Sequence, residues 1–458
     1  MRIAIVGTGY VGLVSGACFA DTGNEVMCVD IDVKKLEKLR NSQITIYEPG
    51  LEIVFRRNLE NKRLRFTSDL GEAVKQSEII FLCLPTPQSE DGSADLSYVL
   101  NVAEEIASHL ERSGSEEYRI IATKSTVTVG TVDKIRDILK RHNVMNVDVV
   151  SNPEFLREGY AVEDFMKPDR VVIGSDSQRA LVKMKDLYAP FVLQGNPVIA
   201  MDTASSEVTK YASNSYLAMR ITFMNELANY AEAVGADIDQ IRIGMGTDSR
   251  IGKRFLFPGI GYGGSCLPKD VKALMKSSTD HGATISLLST AHEVNNKQKL
   301  LLVKKISDHF QGKVSGRHFA VWGLSFKPNT DDMREAPSVA IIKKLLSLGA
   351  RVTAYDPAAK DTAKTYLGDS IRYAYSAYDV FESSDALCIL TEWSEFRNPD
   401  YARIKRGLKS PVVFDGRNIL SKEKLIEYGF DYYGIGRSYS RHRFGTSNAA
   451  LPLEQKTS

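Results

Sequence analysis

Apolar and polar positions alternate along this chain between short, wholly apolar runs and longer amphipathic stretches, the pattern of buried strands followed by helices. Arg2 to Val6 reads as a buried strand, followed by Gly7-Thr8-Gly9-Tyr10-Val11-Gly12 and an apolar-periodic helix to about Asp21. Thr22-Gly23-Asn24 stops that helix, and Glu25 to Val29 is a second strand ending at Asp30. Glu78 to Leu84, Arg119 to Lys124 and Asp148 to Val150 read as further strands. They end in Pro85-Thr86-Pro87, Ser125-Thr126 and Ser151-Asn152-Pro153-Glu154. From Thr203 to Val234 the period is helical, with no Pro or Gly before Gly235. A helix of roughly thirty residues spans about 45 Å, enough to bridge two domains and to carry a subunit interface. The strand pattern then returns. Phe319 to Gly323 leads through Leu324-Ser325-Phe326-Lys327-Pro328 to a helix over Pro337 to Leu348. Arg351 to Tyr355 ends at Asp356; Asp385 to Leu390 and Pro411 to Phe414 complete the set, the last followed by Asp415-Gly416-Arg417-Asn418. The fold class predicted is α/β: two doubly wound units with weak internal symmetry, joined by a central helical region with one long helix. The expected divisions are 1–202, 203–305 and 306–436, with 437–458 a polar tail lacking the apolar periodicity of a folded element.

Size and charge narrow the function more than they reveal it. A chain of 458 residues holds two or three cores. A net charge of +2 gives no case for nucleic acid or an anionic membrane as partner. Five cysteines, an odd number without metal-type spacing, argue against a secreted disulfide framework. Cys18, Cys28, Cys83 and Cys388 fall in apolar elements and read as buried structural thiols; Cys266 alone sits in a polar, glycine-rich loop. The apolar start breaks at Gly7 and Gly9, so it does not read as a signal peptide, and no apolar run is long enough to span a bilayer. The expectation is a cytoplasmic protein.

The chemistry concentrates at loops. Gly7 to Gly12 is G-x-G-x-x-G between a strand and a helix, with an acid about twenty residues on. Gly7 makes the turn, Gly9 clears room for a pyrophosphate at the helix N-terminus, and Gly12 lets helix and strand pack. Asp30 would accept both ribose hydroxyls and repel a 2′-phosphate, favouring NAD over NADP. Thr86, Thr126 and Glu154 lie at strand carboxyl ends facing the cofactor region, although strand-end hydroxyls also serve as plain caps. Glu154 and Glu158 are four residues apart; on a helix they would share a face, either capping it or serving a site. Lys210 and Asn214 share one face of the long helix, and apolar Tyr211, Ala212 and Leu217 argue that this turn is buried. A lysine held there needs a partner or acts as a charge stabiliser. Lys327 and Arg417, at matching strand ends of the second unit, suit an anionic ligand such as a pyrophosphate. In Phe257 to Asp270, four glycines precede Cys266, with Lys269 beside it. The loop is either a structural turn or a presented nucleophile with a cation at hand.

These motifs together resemble the UDP-glucose/GDP-mannose dehydrogenase family over about residues 1 to 436. The resemblance rests on Gly7 to Gly12, Ser125-Thr126-Val127, Asn152 to Gly159, Lys210 with Asn214, Gly263 to Asp270, Phe326-Lys327 and Asp415-Gly416-Arg417. It implies two Rossmann-like domains, dimers or higher oligomers built on the long helix, and oxidation of a sugar C6 alcohol to a carboxylate with two NAD per turnover. UDP-glucose is the implied substrate; UDP-N-acetyl-mannosamine and GDP-mannose are alternatives. Cys266 would carry thiohemiacetal and thioester intermediates. Lys210 and Asn214 would stabilise the oxyanion, Asp270 would manage a proton with a bound water, Glu154 would activate the hydrolytic water, and Thr126 would help hold it. Gly7, Gly9, Tyr10, Val11, Gly12, Asp30, Lys35, Thr86, Thr126, Glu158, Lys269 and Arg334 fall on the cofactor side. Glu154, Phe155, Leu156, Lys210, Asn214, Arg250, Phe257, Gly259, Tyr262, Gly263, Phe326, Lys327 and Arg417 fall on the nucleotide-sugar side. Leu267 departs from the phenylalanine common in relatives. A two-electron hydroxyacid dehydrogenase also places a lysine and an asparagine one turn apart on a long helix. It needs neither a thiolate nor a second such domain.

Overall fold

A computed structural model of the chain describes residues 1–437. The first sheet has eight strands: β1 (Arg2–Val6), β2 (Glu25–Val29), β3 (Leu64–Thr67), β4 (Ile79–Leu82), β5 (Arg119–Thr123), β6 (Val147–Ser151), β7 (Val171–Gly174) and β8 (Val198–Met201). Their order is β3-β2-β1-β4-β5-β6-β7-β8, parallel throughout except where β6 meets β7. The second sheet has six parallel strands, β9 (His318–Trp322), β10 (Arg351–Tyr355), β11 (Arg372–Tyr373), β12 (Ala386–Ile389), β13 (Val412–Asp415) and β14 (Asp431–Tyr433), in the order β11-β10-β9-β12-β13-β14. Both are doubly wound, with a core on each face. The predicted strands are present, with ends shifted by a residue or two. β3, β7, β8, β11 and β14 carry no expectation from the periodicity; β3 and β8 are edge strands with partly exposed residues.

The internal symmetry reaches individual hydrogen bonds. Gly7 N–H donates to Val29 O at 2.8 Å, and Gly323 N–H donates to Tyr355 O at 2.8 Å. Both glycines adopt positive φ, +98° and +91°. A Cβ at Gly7 would lie 2.5 Å from Cys83 O, and one at Gly323 2.4 Å from the Thr391 side chain, so each turn closes against the next strand's end. Each half also ties an acid back to that turn. Asp30 accepts Thr8 N–H at 3.0 Å; Asp356 accepts Leu324 N–H at 2.7 Å and Ser325 N–H at 3.0 Å. Asp356 goes further, taking the Trp393 indole N–H and the backbone of Ala358 and Ala359.

The long helix runs from Thr203 to Val234, as its uninterrupted period predicts. Asp202 caps its start by accepting Ser205 N–H at 2.7 Å, and Gly235 ends it with φ +77°. Near its start Ser206 donates to Ser151 Oγ at the end of β6. Near its end Met224, Ala228 and Ala231 enter the core of the second sheet. One rigid element therefore touches both halves and aligns the carboxyl ends of β4, β5 and β6 with the loops after β9 and β13. The helix Leu301–His309 crosses residue 305 and packs Leu302, Val303 and Ile306 into the second core. Arg437 is held by Asp239 and by the Tyr432 hydroxyl; 438–458, the rest of the expected tail, lie outside the described residues.

Asp356 is buried and satisfies five backbone or indole N–H groups. Asp356→Ala should therefore lower the unfolding free energy by about 2–4 kcal/mol, because buried donors lose their acceptor. Urea titration tests this; a change under about 1 kcal/mol would mean the second turn closes without it.

Candidate active site

Cys266 stands at the N-cap of the helix Leu267–Asp280, with Pro268 in the first turn. The loop ahead of it is pinned at nearly every residue. Gly259 N–H donates to Asn225 Oδ1 at 2.8 Å, Ile260 N–H to Gly416 O at 3.1 Å, Tyr262 N–H to Asn295 Oδ1 at 2.9 Å and Gly264 N–H to Arg334 O at 2.8 Å. A Cβ at Gly263 would lie 2.3 Å from Glu335 O, so only glycine lets the two loops pass. Arg417 was expected to face an anionic ligand. Its guanidinium donates to Leu390 O at 2.8 Å and to Gly261 O and Phe326 O at 3.3 Å, and pairs with Glu392. These bonds brace the cysteine loop against the second half.

Four predicted side chains meet below the sulfur. Lys210 is 3% exposed and donates to Glu154 at 2.8 Å, with the Phe155 ring 5.4 Å away. Glu154 also accepts Leu156 N–H at 2.6 Å. The segment 152–157 is irregular, so Glu154 and Glu158 share no helix face; they reach separate partners. Asn214 donates to Asp270 at 2.6 Å. Lys269 lies 3.3 Å from the other Asp270 oxygen and donates to Thr86 Oγ1 at 3.3 Å; that hydroxyl donates to Thr126 O at 2.9 Å. Burial pushes the Cys266 thiol up, and the charges of Glu154 and Asp270 add to this; Lys210 opposes them without prevailing. Lys210 thus favours the thiolate, while Lys269, near Cys266 in sequence, pairs with Asp270. Burial raises the Glu154 carboxyl, but Lys210 outweighs it and holds the group below its usual range. Burial likewise lowers Lys210, and Glu154, Cys266 and Asp270 together lift it above its usual value.

A second cluster joins the two sheets. Glu158, 8% exposed, accepts from Ser265 Oγ at 2.8 Å, Thr330 Oγ1 at 3.3 Å and Arg334 at 3.5 Å. Burial and the nearby Asp332 push its carboxyl up to about 7, against Ser265, Arg334 and Lys327. Lys327 makes no ion pair among the described residues and lies 5.3 Å from the Phe326 ring; burial lowers its amine. Phe326 packs against Gly264. The Tyr262 hydroxyl is buried without a protein partner. Arg250 is not part of either cluster: it pairs with Asp248 on the surface. Phe257 is also exposed, beneath Arg242.

Sequence reasoning missed residues whose partners are distant in the chain. Glu48 accepts the Tyr10 hydroxyl, Gly159 N–H at 2.6 Å and Ala161 N–H at 2.7 Å, tying the glycine loop to the segment that carries Glu158. Lys124 and the Tyr188 hydroxyl both donate to Asn152 Oδ1, fixing the turn before Glu154. No local spacing signals either contact.

The first half fits a dinucleotide. A Cβ at Gly9 would meet nothing within 4 Å, and no side chain caps the helix Tyr10–Asp21, leaving its first N–H groups to a phosphate. Asp30 stands at the end of β2, paired with Lys35 at 3.1 Å. Burial raises its carboxyl, but hydrogen bonds from Thr8 and Asp32, with the Lys35 charge, hold it down to about 2. Three family models match in chain order: the NAD binding domain of the UDP-glucose/GDP-mannose dehydrogenase family over 1–192, its central domain over 204–297 and its UDP binding domain over 320–422. The chain belongs to this family. It is 44% identical over 452 residues to a UDP-glucose 6-dehydrogenase of Pseudomonas aeruginosa, covering 96% of this chain and 99% of that one. It is also 44% identical over 461 residues to the UDP-glucose 6-dehydrogenase TuaD of Bacillus subtilis, covering 99% and 97%. A UDP-glucose dehydrogenase structure from Pyrobaculum islandicum superposes with a TM-score of 0.88 at 35% identity, over 95% of this chain and 98% of that one. A UDP-D-ManNAc dehydrogenase structure from Pyrococcus horikoshii gives 0.82 at 27% identity, over 95% and 99%. Family membership accounts for an NAD-type half and a UDP-type half on one chain, with a cysteine between them.

The Glu158 environment predicts a pH signature. Its folded value of about 7 lies above its ordinary 4.5, so between these the folded state binds more protons than the unfolded one. Stability therefore falls as pH rises through that window. Glu158→Gln should lack this component, so its melting temperature should gain on wild type from about pH 4.5 to about pH 7. Parallel curves would show that Glu158 ionises in its ordinary range.

Proposed function

We propose that this enzyme oxidises UDP-glucose at C6 to UDP-glucuronate, with NAD accepting two hydrides in succession: UDP-glucose, two NAD and water give UDP-glucuronate, two NADH and protons. The observation that carries the reading is the buried Lys210–Glu154 pair set beside the Cys266 sulfur at the junction of the two halves. A dehydrogenase stopping at the aldehyde has no use for a thiol there. The UDP-glucose assignment follows the names of the relatives and of the Pyrobaculum structure. In the proposed division, 1–202 holds NAD, 203–305 carries the reacting cysteine and 306–436 holds the nucleotide.

The roles follow from placement. The Gly7–Gly12 turn with Tyr10, Val11, Asp30 and Lys35 binds NAD, whose nicotinamide supplies hydride acceptance. Cys266 attacks the aldehyde carbon. Lys210 leaves Glu154 to meet the developing oxyanion, with Asn214 as second donor. Asp270, held by Asn214, orients both. Glu154, freed of its partner, takes the proton of the water that opens the thioester, beside Thr126. Lys327, half-buried and without an ion pair among the described residues, meets the pyrophosphate.

The long helix supports a homodimer. Tyr216, Phe223 and Tyr230, spaced by seven, line one face at 60%, 55% and 64% exposure. Three large aromatics in a row are what a subunit interface covers. A cytoplasmic setting belongs to the same proposal; no helix among the described residues is long and apolar enough to cross a membrane.

Two measurements test these readings. NADH counted over UDP-glucose, UDP-N-acetyl-mannosamine, UDP-galactose and GDP-mannose should give two per UDP-glucose, with a loss of at least about a thousandfold in Cys266→Ala. Lys210→Ala should lower kcat far more than it raises KM. One NADH per sugar with an active Cys266→Ala would sink the four-electron reading. Phe223→Asp should shift the enzyme to monomer in sedimentation; an unchanged mass would place the interface elsewhere.

A further inference from the structure

The thiol environment leaves a gap in this chemistry. Cys266 must lose its proton to attack, yet burial and two carboxylates hold that proton on. Glu154 is committed to Lys210 and Leu156 N–H, and Asp270 to Asn214 and Lys269. Among the described residues neither shares a hydrogen bond with the sulfur. A third route is built. Ser265 Oγ lies 3.5 Å from Cys266 Sγ and 2.8 Å from Glu158 Oε1, so one hydroxyl touches both groups. Either atom of the Ser265–Cys266 contact is able to donate.

We propose that Ser265 is a catalytic proton relay that carries the Cys266 proton to Glu158. The proposal rests on the reading of Cys266 as nucleophile. As the Sγ–H bond breaks, its proton joins Ser265 Oγ, and the original Ser265 proton joins Glu158 Oε1. The thiolate then accepts from Ser265, and the neutral Glu158 carboxyl donates to it. The hydrogen-bond direction reverses, and no proton leaves the site. Glu158 is suited to the receiving end, since burial and Asp332 have already raised its proton affinity.

The surrounding charges suit the transfer. The sulfur is faced by Lys210 from the long helix, Glu154 from the segment after β6, Asp270 from its own helix, and Lys327 and Arg334 from the segment after β9. Glu158 is faced by Asp332, Arg334 and Lys327 from that segment and by Tyr10 from the glycine-loop helix. Lys327 and Arg334 act on both ends, so negative charge moving from Glu158 to sulfur stays within one cationic field.

The test is the pH dependence of Cys266 alkylation by iodoacetamide in the full chain without substrate, followed on the Cys266 peptide by mass spectrometry. Cys266→Ala serves as blank; the other four cysteines are buried. Wild type should begin to alkylate near pH 7, where Glu158 becomes charged and able to receive the proton, rather than only where the buried thiol ionises unaided. Ser265→Ala and Glu158→Gln should each lose about tenfold in rate near pH 8, where Glu158 is charged and the thiol is not, the effect of one pKa unit, and match wild type once pH alone ionises the thiol. Ser265→Thr, which keeps the hydroxyl, should retain the wild-type profile. The double variant Ser265→Ala/Glu158→Gln should be no slower than either single one. A wild-type profile in Ser265→Ala, or losses that multiply in the double variant, would overturn the relay. NADH stoichiometry separates the two readings: an active Cys266→Ala refutes the nucleophile, whereas an inactive one with an unmoved alkylation profile refutes only the relay.

Discussion

A lysine kept almost wholly from water sets the terms for this site. Lys210 stays charged only because Glu154 is within hydrogen-bond reach and because Cys266 and Asp270 lie in its field. Removing Glu154 leaves this buried cation without its hydrogen-bonded partner. The requirement runs in both directions. The long helix must hold Lys210 against the segment after β6, and the cysteine loop must lie across both. The pinned glycine loop, the Arg417 clamp and the Asn214–Asp270 bond serve that one registration. The pair is poised rather than locked. Glu154 keeps a second donor in Leu156 N–H, so on the proposed reaction it would remain a hydrogen-bonded carboxylate once Lys210 turned to the sugar.

Much of this was legible in the chain, for identifiable reasons. The long helix could be bounded from Thr203 to Val234 because nothing interrupts its period until Gly235. The doubly wound class follows from repeated strand–loop–helix runs whose strands are buried on both faces and so read as unbroken apolar segments, whereas the strand orders do not, since five of the fourteen described strands carry no expectation. Strand β11 has two residues and β3 alternates, so neither stands out. At the site, Lys210, Asn214 and Cys266 were found through spacing and composition. Their partners were harder: Glu154 lies 56 residues before Lys210, and Glu48 lies 111 residues before Gly159. Spacing names which side chains are available. Only the fold says which acceptor each donor meets, as Arg417 illustrates with its three carbonyl partners.

Ser265 belongs to the same lesson. In the chain it is one small polar residue beside a reactive one. In the fold it stands between the thiol and a carboxyl contributed by the first half, while Thr330 and Arg334 of the second half hold that carboxyl from the other side. Glu158 is thus gripped by both halves, and the proton affinity of this corner depends on their relative position.

The duplicated turn has a further meaning. The second turn, closed by Asp356 on Leu324 N–H and Ser325 N–H, belongs to the half matched as a UDP binding domain, so the first half alone matches an NAD binding domain. On the proposed reaction, two oxidations share one berth. The first reduced carrier must leave and a fresh one must enter before the sugar reacts again. Throughout that exchange the half-oxidised sugar would diffuse away unless it were moored. The bond to Cys266 is then a timekeeper as well as an activator: it must outlast one carrier exchange and yield to water only after the second oxidation.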